Sequence, residues 1–106
     1  MYLCNMKLIE MHIDKLIALC RKYKVAKLWV FGSILTPRFN DKSDVDFSVI
    51  FDKSKIDLLD FADNYFDFID ELRLLFRRDV DLVCEEAVKN PCFRKELDAT
   101  KVLVYG

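Results

Sequence analysis

Two stretches decide the fold: Leu28-Trp29-Val30-Phe31-Gly32-Ser33 and Asp44-Val45-Asp46-Phe47-Ser48-Val49-Ile50-Phe51. The first contains apolar, aromatic and β-branched residues and stops at a Gly-Ser pair, which predicts a mostly buried strand over residues 27–31 that enters a turn. In the second, apolar residues alternate with Asp44, Asp46 and Ser48, so the two sets lie on opposite faces of a strand. We therefore expect a β-sheet in which a glycine turn and two carboxylates adjoin buried strands.

Helical and extended patterns surround these two strands. They are predicted at residues 5–23 (an amphipathic helix with Asn5 as its N-cap), 57–76 (a long helix), 79–84 (a third strand), 90–97 (a short helix opened by Asn90-Pro91) and 101–105 (an extended segment). The order of elements predicts an α+β fold, a small mixed β-sheet flanked by helices. A chain of 106 residues is expected to form a single domain over residues 1–106.

Three Asp residues on predicted strands form a candidate metal site. Asp44 and Asp46 are two positions apart, so their carboxylates point the same way, about 6–7 Å apart along the strand. Asp81 in the third strand joins them if that strand pairs beside the second, because neighbouring strands lie about 5 Å apart. Three converging carboxylates repel one another unless a cation lies among them. Mg²⁺ suits this set because it shares its oxygen ligands between carboxylates, water and substrate phosphates.

Gly32 and Ser33 form a candidate phosphate site. Gly32 is the only glycine before the last residue of the chain. Without a Cβ there, backbone N–H groups of the turn can approach an anion closely, and the Ser33 hydroxyl adds a donor. Such a turn beside metal-binding carboxylates suits in-line attack at a phosphorus, with one ion activating the nucleophile and a second stabilising the leaving pyrophosphate. We expect Gly32→Val to impair nucleotide use more than folding.

Composition excludes several classes of protein. The chain is 53% hydrophobic and 33% charged, which supports a packed core and argues against disorder. Its net charge of −1 argues against direct nucleic-acid binding and against a polybasic membrane surface. Charges interrupt the N-terminal region, so neither a signal peptide nor a membrane span is expected. The four scattered cysteines and the single His12 lack the spacing of zinc ligands. We interpret the thiols as reduced and mostly buried, which predicts a cytoplasmic protein.

The spacing of these residues resembles a known signature. Gly32-Ser33, ten residues and then Asp44-Val45-Asp46 is similar to the G-S-x10-D-x-D pattern of the polymerase-beta-type nucleotidyltransferases, and Asp81 is similar to their third catalytic carboxylate. Residues 28–31 and 89–106 also look like minimal nucleotidyltransferases (MNT), so the resemblance covers nearly the whole chain. It implies a polymerase-beta-like nucleotidyltransferase fold.

The resemblance also implies an activity and a partner. Members of this family commonly act as antitoxins of small helical HEPN ribonuclease toxins, to which they transfer AMP from ATP, on a tyrosine. By resemblance, Asp44 and Asp46 bind the metal ions, with two Mg²⁺ expected. Asp81 completes the metal site and helps to activate the attacking hydroxyl, while Gly32 and Ser33 hold phosphate.

Two other functions stay open. The protein could be an antitoxin that neutralises its partner by binding and occlusion without catalysis, or it could transfer AMP to a small molecule. Because 106 residues leave little to enclose a small acceptor, a partner protein is favoured. One stretch departs from the family pattern: Ile34-Leu35-Thr36-Pro37-Arg38 stands where many relatives carry small and basic residues, which makes Arg38 a candidate source of charge.

The remaining polar and aromatic features have structural interpretations. Asp79 is expected at the surface, His12 in a structural role, and Ser43 and Ser48 as turn and strand residues. The acids at 60, 63, 67 and 70 have the spacing of a solvated helix face. The aromatic residues of the long helix are interpreted mainly as core, with an exposed aromatic patch that docks a partner as the alternative.

Overall fold

A computed structural model describes the backbone of residues 2–106 and the side chains from Asn5 onward. Its helices are α1 Tyr2–Met11, α2 Ile13–Lys22, α3 Phe61–Phe76 and α4 Pro91–Thr100, and its strands are β1 Val25–Phe31, β2 Val45–Phe51, β3 Val80–Cys84 and β4 Val102–Tyr105. The strands form one mixed sheet in the order β3-β2-β1-β4, in which only the β2–β3 pair is parallel. The predicted α+β class is confirmed.

The first predicted helix is in fact two helices. His12 separates α1 from α2 at φ −115° and ψ 14°, and its ring packs edge-on against Phe76 at 5.4 Å, in keeping with a structural role. Asn5 is not an N-cap, because it lies inside α1. Its side-chain amide donates hydrogen bonds to the carbonyl oxygens of Ile34 and Thr36, at 2.9 and 2.7 Å. The prediction was wrong here because the partners of Asn5 lie about 30 positions away, beyond any local pattern.

One face of the sheet carries the main core. Val45, Phe47, Val49 and Phe51 of β2 alternate towards this face and are buried, as their spacing predicts. α2 and α3 pack on each other and against the sheet, with Phe68 and Leu72 of α3 fully buried. α3 begins at Phe61 rather than at residue 57, after short 3₁₀ turns at Lys53–Lys55 and Leu58–Asp60. The acids at 60, 63, 67 and 70 are exposed, which confirms the solvated face.

Side chains of α3 also cover the free edge of β3. The Tyr65 hydroxyl donates to the carbonyl oxygen of Leu82 at 2.5 Å, and the Arg73 guanidinium lies 3.5 Å from the carbonyl oxygen of Val80. Unpaired carbonyls on an edge strand invite pairing with another chain, so these contacts protect the edge. They also fix β3, which carries Asp81, against α3.

The other face of the sheet is covered by α4. Phe31 and Trp29 alternate with the buried Val30 and Leu28 along β1, so their side chains point away from the main core. Phe93 of α4 meets Phe31 edge-on at 6.0 Å. As predicted, Asn90 caps this helix, because its side chain accepts a hydrogen bond from the Phe93 N–H at 3.0 Å.

Two predictions concern the thiols and the membrane. Of the cysteines whose side chains are described, Cys20 is buried, Cys84 is half-buried and Cys92 is exposed, so the expectation of mostly buried thiols holds only for Cys20. Cys4 lies outside the described side chains. Within residues 2–106, no helix combines the length and apolar character that a membrane crossing requires.

Candidate active site

The turn after β1 requires glycine for two reasons. Gly32 has φ +80°, a left-handed conformation that side chains with a Cβ rarely adopt. A Cβ at this position would overlap Asp46 Oδ2 and lie 3.2 Å from its Cγ. The β1–β2 register pairs Phe31 with Asp46, which explains why the turn lies directly against that carboxylate. The glycine predicted to approach a phosphate therefore also makes room for Asp46.

The 3₁₀ turn Gly32–Leu35 is held from both sides. Ile34 is fully buried, so the apolar residue that departs from the family pattern fills the core. Thr36 closes the turn, because its N–H and hydroxyl both donate to the Ser33 carbonyl oxygen, at 2.9 and 2.8 Å. Asn5 holds the same segment from α1. No described side chain caps the amides at the start of the turn, which leaves them accessible to an anion.

The parallel register of β2 and β3 brings the predicted carboxylates together. Asp46 pairs directly with Asp81, so both side chains lie on the same face of the sheet. Asp44 precedes β2 by one residue and is exposed, as is Asp81, whereas Asp46 is half-buried. Burial, and then the charges of Asp81 and Asp44, raise the pKa of Asp46 from its ordinary 3.8 to about 6. The negative charges of Asp81 and Asp44 therefore act on Asp46, which lies between them in this cluster.

The chemistry of these donors, three carboxylates, suits a divalent cation. Carboxylate oxygens are the ligands that Mg²⁺ prefers. Burial is the main cause of the raised pKa of Asp46, and the negative charges of Asp81 and Asp44 add to it, so a cation bound here would favour the ionised carboxylate. Among the described side chains, no three His, Cys, Asp or Glu residues already surround one common cation position. The strands thus place Asp46 beside Asp81, and exposed Asp44 lies on the loop side of this pair. Asp44, Asp46 and Asp81 are the residues that could hold a metal ion here.

Arg78 is a positioning residue that the sequence does not reveal. Its guanidinium donates to the carbonyl oxygens of Asn40 and Ser43, at 3.0 and 2.9 Å, and lies over the Phe39 ring at 4.7 Å. These contacts fix the loop that leads to Asp44. The two bonded carbonyls lie 38 and 35 positions away in the sequence, so no local pattern indicates this role.

The polar residues near these acids take the places predicted for them. Ser43 is a turn residue whose hydroxyl accepts a hydrogen bond from the Asn40 N–H at 3.0 Å. Ser48 is fully buried within β2, which is incompatible with a ligand exposed to substrate. Asp79 is exposed, and its carbonyl oxygen pairs with the Val45 N–H at 3.1 Å. Arg38 is exposed on the loop after the turn.

A buried ion network fastens α4 to the sheet behind the acids. Glu85 is buried and accepts from Arg94 at 2.7 Å and from Lys101 at 3.0 Å. Burial alone would raise the pKa of Glu85, but the hydrogen bonds from Arg94 and Lys101 hold it below its ordinary value. Lys101 also lies over the Trp29 ring at 4.2 Å. The network keeps α4 at a fixed place on the face of the sheet that carries Asp46.

Comparison with known proteins identifies the family to which this chain belongs. Residues 14–106 match the family described as polymerase beta, nucleotidyltransferase. The chain belongs to this nucleotidyltransferase family. A candidate protein adenylyltransferase of Methanocaldococcus jannaschii is 36% identical over 83 residues, which are 78% of this chain and 80% of that protein.

Solved structures share the fold of this nucleotidyltransferase. A candidate minimal nucleotidyltransferase superposes with a TM-score of 0.71 at 22% identity, covering 91% of this chain and 92% of the other. A complex of a tri-AMPylated HEPN toxin of Shewanella oneidensis with its MNT antitoxin superposes with a TM-score of 0.62 at 20% identity, covering 92% of this chain and 71% of the other. The predicted fold and the resemblance to minimal nucleotidyltransferases are confirmed.

Proposed function

We propose that this nucleotidyltransferase is a metal-dependent protein adenylyltransferase and the antitoxin of a small helical HEPN toxin, to which it transfers AMP from ATP. The observation that carries the proposal is the position of Asp46, which pairs in register with Asp81 and lies against Gly32. The acid cluster and the glycine turn therefore meet at one point. Adenylyl transfer needs both features together, because the phosphate groups must be held in place and their negative charge must be compensated around the phosphorus that is attacked.

The relatives support the nature of the reaction. The Methanocaldococcus relative is named as a candidate protein adenylyltransferase, and the Shewanella complex of the same fold contains an AMPylated HEPN toxin. In the proposed step, an acceptor hydroxyl, most simply that of a tyrosine, forms a bond to the α-phosphorus of ATP. The bond from that phosphorus to the bridging oxygen breaks, and pyrophosphate leaves.

Each residue of the site has a role in this proposal. The amides of Gly32 and Ser33, with the Ser33 hydroxyl, hold the phosphates. Asp44, Asp46 and Asp81 hold Mg²⁺, two ions being expected from the family, which compensates phosphate charge when bound. Asp81 also takes the proton of the attacking hydroxyl. Because Asp81 is exposed on edge strand β3, an acceptor that belongs to a large partner can reach it from solvent.

The test is labelling of the partner by α-labelled ATP. The full chain is purified together with a small helical HEPN protein from the same organism and incubated with Mg²⁺ and the labelled nucleotide. The variants are Asp46→Asn and, as a matched control, Asp79→Asn, which changes an exposed acid beside β3 that is not among the charges that raise the pKa of Asp46. We expect wild type and Asp79→Asn to label the partner equally, and Asp46→Asn to label it at least about 100-fold more slowly.

Three outcomes would contradict the proposal. Equal labelling by Asp46→Asn would remove the acid cluster from the reaction. Neutralisation of the toxin by an Asp44→Asn variant that transfers no AMP would show an antitoxin that acts by occlusion. Consumption of ATP with an AMP-bearing product in the absence of any protein acceptor would show transfer to a small molecule.

A further inference from the structure

A cavity of about 390 Å³ lies between the turn after β1 and helix α4. The residues that matter to its chemistry are Phe31, Gly32 and Leu35 on the side of the turn and Phe93, Glu96 and Leu97 on α4. Leu97 is buried, and Phe31 meets Phe93 edge-on at 6.0 Å. The volume is within the range of about 300–1,000 Å³ typical of small-molecule sites.

The cavity is continuous with the candidate phosphate site through Gly32. This residue lines the cavity and also lies against the carboxylate of Asp46. A ligand whose phosphates rest on the turn can therefore extend its other end towards α4 without crossing a side chain at position 32. The ion network of Glu85, Arg94 and Lys101 keeps α4 in place, so the far wall of the cavity is fixed.

The chemistry of the lining indicates which part of a nucleotide fits. The described residues that line the cavity include no Lys or Arg, so nothing there compensates a phosphate. The rings of Phe31 and Phe93 offer apolar surfaces on which a planar base can stack. Glu96 is the one charged lining residue, and its carboxylate accepts hydrogen bonds from amino or hydroxyl groups. A neutral aromatic group with such donors matches these walls.

We propose that this cavity binds the purine nucleoside of the nucleotide substrate. The base lies against Phe31 and Phe93, and an amino or ribose hydroxyl group of the nucleoside donates to Glu96. The inference rests on the proposed function for the identity of the ligand as a nucleotide. It adds the place where the non-phosphate part is recognised and makes Phe93, far along the chain from the Gly-Ser turn, a specificity-determining residue.

The test compares binding of ATP with binding of inorganic tripolyphosphate, both with Mg²⁺, by titration calorimetry of the full chain. Tripolyphosphate reports on the phosphate site, and the difference between the two probes reports on the nucleoside. The variants are Phe93→Leu, which keeps an apolar side chain but removes the ring, and Phe93→Tyr, which restores a ring. Phe66→Leu is the control, because Phe66 is a 60% exposed aromatic residue on α3 that does not line the cavity.

We expect Phe93→Leu to weaken ATP binding at least about fivefold, the effect of losing one stacking contact, and to leave tripolyphosphate binding within about twofold. Phe93→Tyr and Phe66→Leu should bind both probes as wild type does. Equal ATP affinity of Phe93→Leu and wild type would overturn the assignment, as would an equal loss for both probes. The outcome is separate from transfer: if ATP binding falls as expected while no AMP reaches a partner, the cavity assignment stands and the proposed function fails. If wild type binds neither probe, both fail.

Discussion

Replacing Gly32 by Ala separates the two demands that the structure places on this residue. The left-handed conformation at φ +80° costs a residue with a Cβ about 1–2 kcal/mol. Ala also restricts the unfolded chain, which returns about 0.4–1 kcal/mol, so the backbone alone loses roughly 1 kcal/mol. The overlap of the new Cβ with Asp46 Oδ2 adds to this, because the carboxylate must move. We expect Tm to fall by at least about 4–8 °C.

The same substitution should affect catalysis more than folding. A displacement of about 1 Å in a reacting group can cost about 100-fold in rate, and Asp46 must move for the Ala side chain to fit. AMP transfer by Gly32→Ala, measured well below its Tm, is therefore expected to fall about 100-fold. A second substitution, Arg77→Gly, relieves an unrelated left-handed residue at φ 54° at the end of α3 and should recover part of the lost stability.

The double variant gives the decisive comparison. Arg77→Gly on the Gly32→Ala background should raise Tm and leave the transfer rate low. If the rate returned together with Tm, the loss of activity would be a consequence of instability and the argument about Asp46 would be refuted. A Gly32→Ala variant with normal transfer and a lowered Tm would also refute it, by showing that glycine is needed only for the backbone.

Three further predictions concern neighbouring residues. The pKa of Asp46 is raised to about 6, so its ionisation lowers the stability of the folded protein as pH rises from about 4 to above 6. Without divalent cations, Asp46→Asn should therefore have a higher Tm than wild type at neutral pH and the same Tm as wild type at about pH 4. Asn5→Ala should cost about 1–3 kcal/mol in chemical denaturation, since two carbonyls lose their donor, whereas an unchanged midpoint would show these bonds to be dispensable. Arg78→Lys should slow transfer about 10-fold with a small change in Tm, because an ammonium cannot donate to both loop carbonyls in the same geometry. An unchanged rate would show that the loop before Asp44 needs no such support.

Much of the fold could be predicted because its signals are local. The alternation in β2, the Asn90-Pro91 start of α4 and the acid stripe of α3 each depend on residues a few positions apart. The boundaries were less certain, since the apolar periodicity of residues 5–23 continues through the break at His12. α3 likewise begins later than its pattern indicates, because 3₁₀ turns occupy the preceding acids and leucines.

The candidate site was predictable in its residues but not in its support. Asp44, Asp46, Asp81, Gly32 and Ser33 were proposed from strand faces and spacing, and the structure places Asp46 in register with Asp81 and against Gly32. Their roles stay predictions. The contacts that hold the site come from distant residues that carry no local signal, such as the bonds of Asn5 and Arg78 to loop carbonyls. Likewise, the expectation that Gly32→Val would spare folding did not include the left-handed backbone or the contact with Asp46.

The aromatic residues of α3 show how packing decides between two interpretations. Phe68 and Phe76 are buried, which confirms the core interpretation for them. Phe66 is 60% exposed on the opposite side of the helix, and Leu58 and Leu59 in the preceding turn are also exposed. A docking patch for a partner at these residues stays a prediction.

Transfer of AMP to a partner is tested by the intact mass of a HEPN protein after co-expression with this chain. With wild type, we expect the mass of the partner to increase by one or more AMP units. With Asp46→Asn, which lacks the carboxylate that pairs with Asp81, the partner should keep its unmodified mass. An unmodified partner with wild type, or an equally modified partner with Asp46→Asn, would contradict the account.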